Sequence, residues 1–193
     1  WIQSNRSMRI ISGSFKGKKI YLPKDKFTRP LKDLVKESIF NVIYHSNEIK
    51  IKIDNSVILD LFSGSGSFGL ETISRGAKKV TFVENYHDVL NILEKNIFAL
   101  NCQNKCQIFR KSCFEYLNDI NMNRPLYDLI FLDPPFKEKK INSILEKIIE
   151  KKVLKKNGLI IIHRHKNDDL DILDKINIFD TRFYGISKII FAK

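Results

Sequence analysis

Apolar residues fall along this chain in two rhythms. Short, mostly apolar runs at 57–62, 80–83, 127–132 and 159–162 have the length and β-branched or aromatic content of buried strands. Between them, apolar positions recur every three or four residues. Leu31, Leu34, Val35, Ile39, Phe40 and Ile43 predict a helix behind Pro30, a residue tolerated in a first helical turn. Further helices are predicted over 70–76, 88–100 and from Cys113, and another over 141–154 that stops at Asn157-Gly158; a short strand is predicted at 107–109. The tail holds two strand-like runs, 179–184 and 188–192, joined through Gly185-Ile186-Ser187, which predicts a closing antiparallel hairpin. Strands alternating with helices predict an α/β fold: a Rossmann-like, doubly wound sheet with a C-terminal antiparallel hairpin. Ahead of it, runs at 9–12 and 18–22 around Gly13 and Gly17 predict a small N-terminal β-hairpin.

The residues that end the strands carry the chemistry. The first strand runs into Phe62-Ser63-Gly64-Ser65-Gly66-Ser67-Phe68-Gly69, whose glycines have the G-x-G-x-x-G spacing of a nucleotide-type loop between strand and helix. Such glycines allow a tight turn and a close approach of ligand to backbone. The next strand ends at Glu84, followed by Asn85, and this acid is placed to accept both hydroxyls of a ribose. A dinucleotide dehydrogenase would share these two elements. Asp60, however, puts a negative charge beside the loop, which suits a cationic amino-acid moiety better than a pyrophosphate. The strand 127–132 ends in Asp133-Pro134-Pro135-Phe136. Two prolines stop strand pairing and stiffen the exit. The carboxylate and aromatic ring so displayed make a receptor for a flat amino group. A solvated Asp and a packed Phe in a plain Pro-Pro loop would be written with the same letters. The dehydrogenase reading leaves this motif without a task, whereas S-adenosylmethionine has a ribose, an ammonium, a sulfonium and no phosphate.

Composition narrows the setting. The chain has 193 residues and a formal net charge of +12, of which +7 falls within residues 1–40. Arg9, Lys16, Lys18, Lys19, Lys24, Lys26 and Arg29 alternate with Phe15, Tyr21 and Phe27, a pattern expected of an arm that grips a polyanion and stacks on unpaired bases. A second basic group, from Lys137 to Lys156, begins directly after Phe136; general lysine enrichment accounts for it equally well. Cys102, Cys106 and Cys113 form neither a paired C-x-x-C nor a disulfide framework, so reduced cytoplasm is expected. No apolar run approaches the ~18 residues of a membrane helix. His163 and His165 share a strand face, yet no third ligand lies nearby in sequence, so no metal is expected. Cys113 is read as packing rather than as a nucleophile. The expected organisation is an extension at 1–7 before Met8, a basic hairpin arm at 8–30 and one catalytic domain at 31–193.

Together these motifs resemble the bacterial small-subunit ribosomal RNA guanine-N2 methyltransferase family (RsmD). Met8-Arg9-Ile10-Ile11-Ser12-Gly13 resembles its opening and Gly17-Lys18-Lys19-Ile20 its basic hairpin. Arg29-Pro30 with Asp33, Val35, Glu37 and Phe40-Asn41 resembles its first helix, and 59–76, 82–84 and 131–136 its ligand-binding segments. The resemblance implies a class I S-adenosylmethionine-dependent methyltransferase fold. It places the cofactor around Asp60, Phe62, Ser63, Gly64, Ser65, Gly66, Gly69, Glu84, Asn85, Ser112 and Cys113. It gives the catalytic role to Asp133, Pro134, Pro135 and Phe136, with RNA contacts at Arg9, Lys16, Lys18, Lys19 and Arg29. The implied substrate is a guanine of 16S ribosomal RNA (position 966 in the usual rRNA numbering) in the small subunit or its assembly intermediate, acted on by a monomer. The sequence departs from the family at Leu31, where Thr is common, at Ser112-Cys113, and at His163, where Glu is frequent. Two rival readings are a DNA amino-methyltransferase acting on adenine or cytosine, and a non-catalytic nucleic-acid-binding protein on the same scaffold. The first usually needs a large added target-recognition region, for which this chain has no room.

Overall fold

The computed structural model describes residues 8–24, 31–121, 126–168 and 174–193. Residues 1–7 and the segment holding Lys26, Phe27, Arg29 and Pro30 lie outside them. Two short strands, β1 (Met8–Arg9) and β2 (Lys19–Ile20), form the antiparallel N-terminal hairpin. Helix α1 (Asp33–His45) precedes an alternating series: β3 (Val57–Leu61), α2 (Ser67–Ser74), β4 (Lys79–Glu84), α3 (His87–Ala99), β5 (Cys106–Arg110), α4 (Cys113–Asn118), β6 (Tyr127–Leu132) and α5 (Ile141–Glu150). The chain closes with β7 (Leu154–His165), β8 (Ile178–Tyr184) and β9 (Ser187–Ala192).

Seven strands form one sheet in the order β5-β4-β3-β6-β7-β9-β8. β3 to β7 are parallel, while β9 runs antiparallel between β7 and β8. The chain leaves β3 toward β4 and β5, then returns to the other side of β3 as β6. That reversal opens a crevice at the carboxyl ends of β3 and β6, where open α/β sheets bind ligands.

Burial on both faces explains why consecutive positions in these runs are apolar. Along β6, Leu129 and Phe131 enter a core shared with α1, α2 and α3, whereas Ile130 and Leu132 enter a second core shared with α4 and α5. The same alternation holds along β7 for Leu159, Ile160, Ile161 and Ile162. Val35, Ile39, Phe40 and Ile43 give α1 its buried stripe, and Ile141, Ile144, Leu145 and Ile148 give α5 its own. Capping is local chemistry: Ser112 accepts from the Glu115 amide, and Glu115 accepts in return from the Ser112 amide, a reciprocal pair that starts α4.

Two predicted boundaries move. α1 begins at Asp33, beyond Pro30 rather than around it. The predicted helix over 141–154 ends at Glu150, and Leu154 already pairs with Tyr127 in the sheet. Lys152 breaks the helix with a positive φ of 50°. Asn157-Gly158 then lies within β7, in the stretch where its register with β6 slips, and not at a helix end. The apolar pair Val153-Leu154 fits either element locally. Pairing with β6 decides it.

The N-terminal hairpin packs into the first core through Met8, Ile10 and Ile20. Gly13 approaches α2 so closely that any side chain there would collide with the Ser74 carbonyl. Behind this contact lies a buried charge cluster. Glu71 of α2, fully buried, accepts hydrogen bonds from the Ile11 and Ser12 amides at 2.9 and 3.0 Å and from Arg75 at 2.8 Å. Lys36 of α1, equally buried, stands 3.5 Å from the same carboxylate. Burial lowers the pKa of its ammonium, opposed by the charges of Glu71 and Asp33.

Candidate active site

A cleft of about 860 Å³ opens at the carboxyl ends of β3, β4 and β6. It brings together most of the residues singled out from the sequence. Asp60, Phe62, Ser63, Gly64, Ser65, Glu84, Asn85, Ser112 and Cys113 line it, and so do Asp133, Pro134, Pro135 and Phe136. Gly66 and Gly69 do not line it. Gly66 enters α2 with a left-handed φ of 81°, which favours glycine, and Gly69 lies against the Phe82 ring, where a side chain would not fit. Their spacing serves the turn and the packing of helix on sheet. The exposed Arg9, Lys16, Lys18 and Lys19 stand outside the cleft lining, and Arg29 lies outside the described residues. Two aromatics of the arm already have cationic neighbours: Lys18 lies over Phe15, and Lys95 sits 3.9 Å from the centre of the Tyr21 ring.

Asp60, Glu84, Asp133 and Glu138 line the cleft and shape its field. Glu84 accepts from the Gly64 amide at 2.9 Å and from the Asn85 and Tyr86 amides at 2.9 and 3.0 Å, which ties the β4 rim to the glycine loop. Asp60, 1 % exposed, accepts from the Gly69 amide at 3.0 Å in the first turn of α2. Burial pushes its carboxyl well above the usual carboxylate range; the Gly69 hydrogen bond opposes this, and the nearby charges of Asp133 and Glu84 add to it. A ligand with positive charge would relieve that strain, whereas a pyrophosphate would increase it. The apolar wall of Val83, Val89, Cys113 and Phe114 would receive a flat ring. Burial pushes the Cys113 thiol up, so this cysteine is packing and no ready thiolate. The lining therefore fits a cofactor that carries a sulfonium, an ammonium, a ribose and a base.

The β6 rim is held by residues that sequence reasoning missed. Buried Arg164 on β7 donates to the carbonyls of Pro135 at 3.3 Å, Phe136 at 3.2 Å and Glu138 at 2.9 Å, and it pairs with Asp168. One guanidinium thus fixes the loop that the two prolines stiffen. His163 lies beside Asp133 and is held from its other side by Ser187, and Phe131 stacks on Phe68 at 3.9 Å beneath the cleft. Leu31, Tyr86, Lys111, Phe114 and Lys137 also line the opening. The available signal was positional. His163 and Arg164 directly follow an apolar run expected to lie in the same sheet as 127–132, so they end level with Asp133. Among the described residues, no group of three His, Cys, Asp or Glu side chains could hold a metal ion, and no helix is long and apolar enough to cross a membrane.

An antiparallel final strand set into an otherwise parallel sheet, above a glycine loop and an acidic second strand end, defines an S-adenosylmethionine-dependent methyltransferase. A family model described as Conserved hypothetical protein 95 matches residues 8–193, and the chain belongs to that family. It is 37% identical over 180 residues to Ribosomal RNA small subunit methyltransferase D of Haemophilus influenzae, covering 93% of this chain and 90% of that protein. The Escherichia coli K12 protein of the same name is 32% identical over 151 residues, covering 78% of this chain and 68% of that protein. Among solved structures, one from H. influenzae provisionally described as a methylase matches with a TM-score of 0.77 at 32% identity, covering 96% of this chain and 97% of that one. An E. coli structure, yhhF, matches with a TM-score of 0.80 at 24% identity over the same shares, a likeness of fold alone.

Proposed function

We propose that this enzyme methylates the exocyclic N2 amine of a guanine in small-subunit ribosomal RNA. It acts as a cytoplasmic monomer on the subunit or on an assembly intermediate. The observation that carries the reading is the meeting of Asp133 and Phe136 with the glycine loop and Glu84 around one cleft. The relatives' names support the RNA class.

S-adenosylmethionine, when bound, supplies an electrophilic methyl group. Glu84 would hold its ribose, and Asp60, Gly64 and Ser65 would border its amino-acid end. The remaining task falls to the protein's own groups. A guanine amine is a poor nucleophile because its lone pair is delocalised into the ring. Asp133 and the Pro134 carbonyl accept its two N–H bonds and localise that lone pair toward the methyl. Phe136 stacks on the base and fixes the line of attack. A base read in this way must be unpaired or drawn out of its stack. Once methylated, the nitrogen is strongly acidic and can give its proton to Asp133 or to water. Lys137 on the rim and the lysines of the N-terminal arm hold the phosphate backbone.

The test is transfer of a labelled methyl group from S-adenosylmethionine to naked small-subunit RNA, to assembled subunits and to DNA, followed by digestion to nucleosides. N2-methylguanosine from one of the RNA substrates is expected. Label in DNA adenine or cytosine would overturn the assignment in favour of a DNA enzyme, and no label in any substrate would favour a binding protein.

A further inference from the structure

Two buried polar side chains, His163 against Asp133 and Ser187 behind it, have no part in the chemistry above. β6, β7 and β9 are adjacent strands. Leu132 lies opposite Ile162, His163 opposite Ile189, and His165 opposite Ser187. Asp133, His163 and Ser187 therefore continue the face formed by Phe131, Ile161 and Ile189, at the level of the cleft. The His163 ring has its Nδ1 2.8 Å from Asp133 Oδ1 and its Nε2 2.8 Å from Ser187 Oγ. The His163 side chain is 2 % exposed and that of Asp133 15 %. A hydrophobic residue at 163 would have continued the strand at no desolvation cost. An imidazole is justified there by the two hydrogen bonds it makes.

The partners set the tautomer. An ionised carboxylate only accepts, so Nδ1 carries the hydrogen and donates to it; in the neutral ring Nε2 accepts from the Ser187 hydroxyl. A carboxylate can accept about four hydrogen bonds, so this donation orients Asp133 without exhausting it. The same ring meets Phe136 edge-on at 5.8 Å between centroids, and His165 meets Phe136 at 5.0 Å. His163 thus touches both groups of the base receptor and sets their spacing. Arg164, the next residue, grips the carbonyls of the same loop.

We propose that His163, held between Asp133 and Ser187, is the positioning residue that aims the Asp133 carboxylate at the target amine. This rests on reading Asp133 as the acceptor of that amine. Positioning errors at a reacting centre lower the rate of the bound complex more than they weaken binding.

The experiment is steady-state methyl transfer to small-subunit RNA by His163→Ala, His163→Asn, His163→Gln and Ser187→Ala, with S-adenosylmethionine affinity by calorimetry and a melting curve for each. His163→Ala should lower kcat about tenfold to a hundredfold, with KM for RNA and cofactor affinity within about twofold. Asn places its amide near the position of Nδ1 and should recover most of kcat. Gln places its amide near Nε2 and should not. Ser187→Ala should lower kcat by a smaller factor. A merely structural histidine would make kcat track the melting temperature and would not separate Asn from Gln. Equal kcat for Asn and Gln at matched stability, or unchanged kcat in His163→Ala, would overturn the proposal; if the Ala variant fails to fold, the Asn and Gln pair decides. Asp133→Ala run in parallel separates the two failures. An active Asp133→Ala refutes the base receptor itself, whereas an inactive one beside a fully active His163→Ala refutes only the role given to His163.

Discussion

Glu71 and Asp133 are both carboxylates set among cationic or hydrogen-bonding neighbours, yet they belong to different kinds of site. Glu71 is fully buried, and its four partners (Ile11, Ser12, Arg75 and Lys36) all come from the protein and surround it. Asp133 is held by His163 on one oxygen, keeps part of its surface exposed and lines the cleft. The first arrangement fastens a hairpin to a helix. The second holds a charge in place while leaving it in reach of a ligand. What separates a fastening from a working group here is access, since charge and hydrogen bonding are common to both.

The largest effect expected on either side is on turnover. Asp133→Ala should lower methyl transfer by at least about a hundredfold, the scale of removing a preorganised polar group from beside the reacting atom, with its melting temperature lowered by only a few degrees as buried His163 loses its partner. Asp133→Asn should fall between, because the amide accepts one hydrogen bond without the charge. Near-parental rates in the purified Ala variant would erase the distinction from Glu71.

Glu71→Gln should do the opposite. It removes the charge nearest the buried ammonium of Lys36, leaving the 3.8 Å approach of Asp33, at a cost of up to about 3–5 kcal/mol for breaking a buried pair. At about 2–4 °C per kcal/mol for a chain of this size, thermal denaturation should shift down by roughly ten degrees. Turnover well below the transition should persist. A stable variant with lost activity would make Glu71 part of the active site.

Glu84 combines features of both, with three backbone amides on its oxygens and a place on the cleft wall. Glu84→Ala should weaken S-adenosylmethionine by about one to two orders of magnitude, measured by calorimetry. Unchanged affinity would return Glu84 to a purely structural part.

Smaller effects are expected from the arm. Replacing Lys16, Lys18 and Lys19 with Ala should reduce the logarithmic salt slope of RNA binding by roughly 0.7 to 0.9 for each phosphate that the arm no longer neutralises, with cofactor affinity unchanged. A lower melting temperature with an unaltered slope would make the hairpin only a cap on the sheet.

The smallest effect concerns Asp60. Its native pKa is raised by burial above the unfolded value, so its ionisation favours the unfolded chain. The contribution of this group to stability is greatest below the ordinary Asp range and falls as pH rises through that range toward the raised native value. Asp60→Asn should flatten that fall in denaturant titrations across acidic to neutral pH. An identical slope in the variant would show that the carboxyl is already charged in the fold.

Local signals made much of this legible in advance. The glycine loop, Glu84 and the Asp-Pro-Pro-Phe turn are each written in consecutive residues at strand ends, where type and position coincide. The doubly wound sheet followed from apolar runs that both cores bury. What escaped is long-range. His163 reaches Asp133 across 30 positions and Ser187 across 24, and Glu71 reaches the arm across about 60. Strand order and register bring His163 to Asp133 and Ser187, and the packing of the hairpin on α2 brings the arm to Glu71. The end of α5 was misjudged for a related reason: Val153-Leu154 has no local preference strong enough to override pairing with β6.

The central claim is that Asp133 presents a guanine amine to the methyl donor. Its most direct test is nucleoside mapping of small-subunit RNA from a strain lacking this protein, complemented with the parent or with Asp133→Ala at matched protein levels. The account predicts N2-methylguanosine restored at a single position by the parent and absent with Asp133→Ala. Full modification by the Ala variant, or a parent that restores a methyl group on any other base or atom, would contradict it.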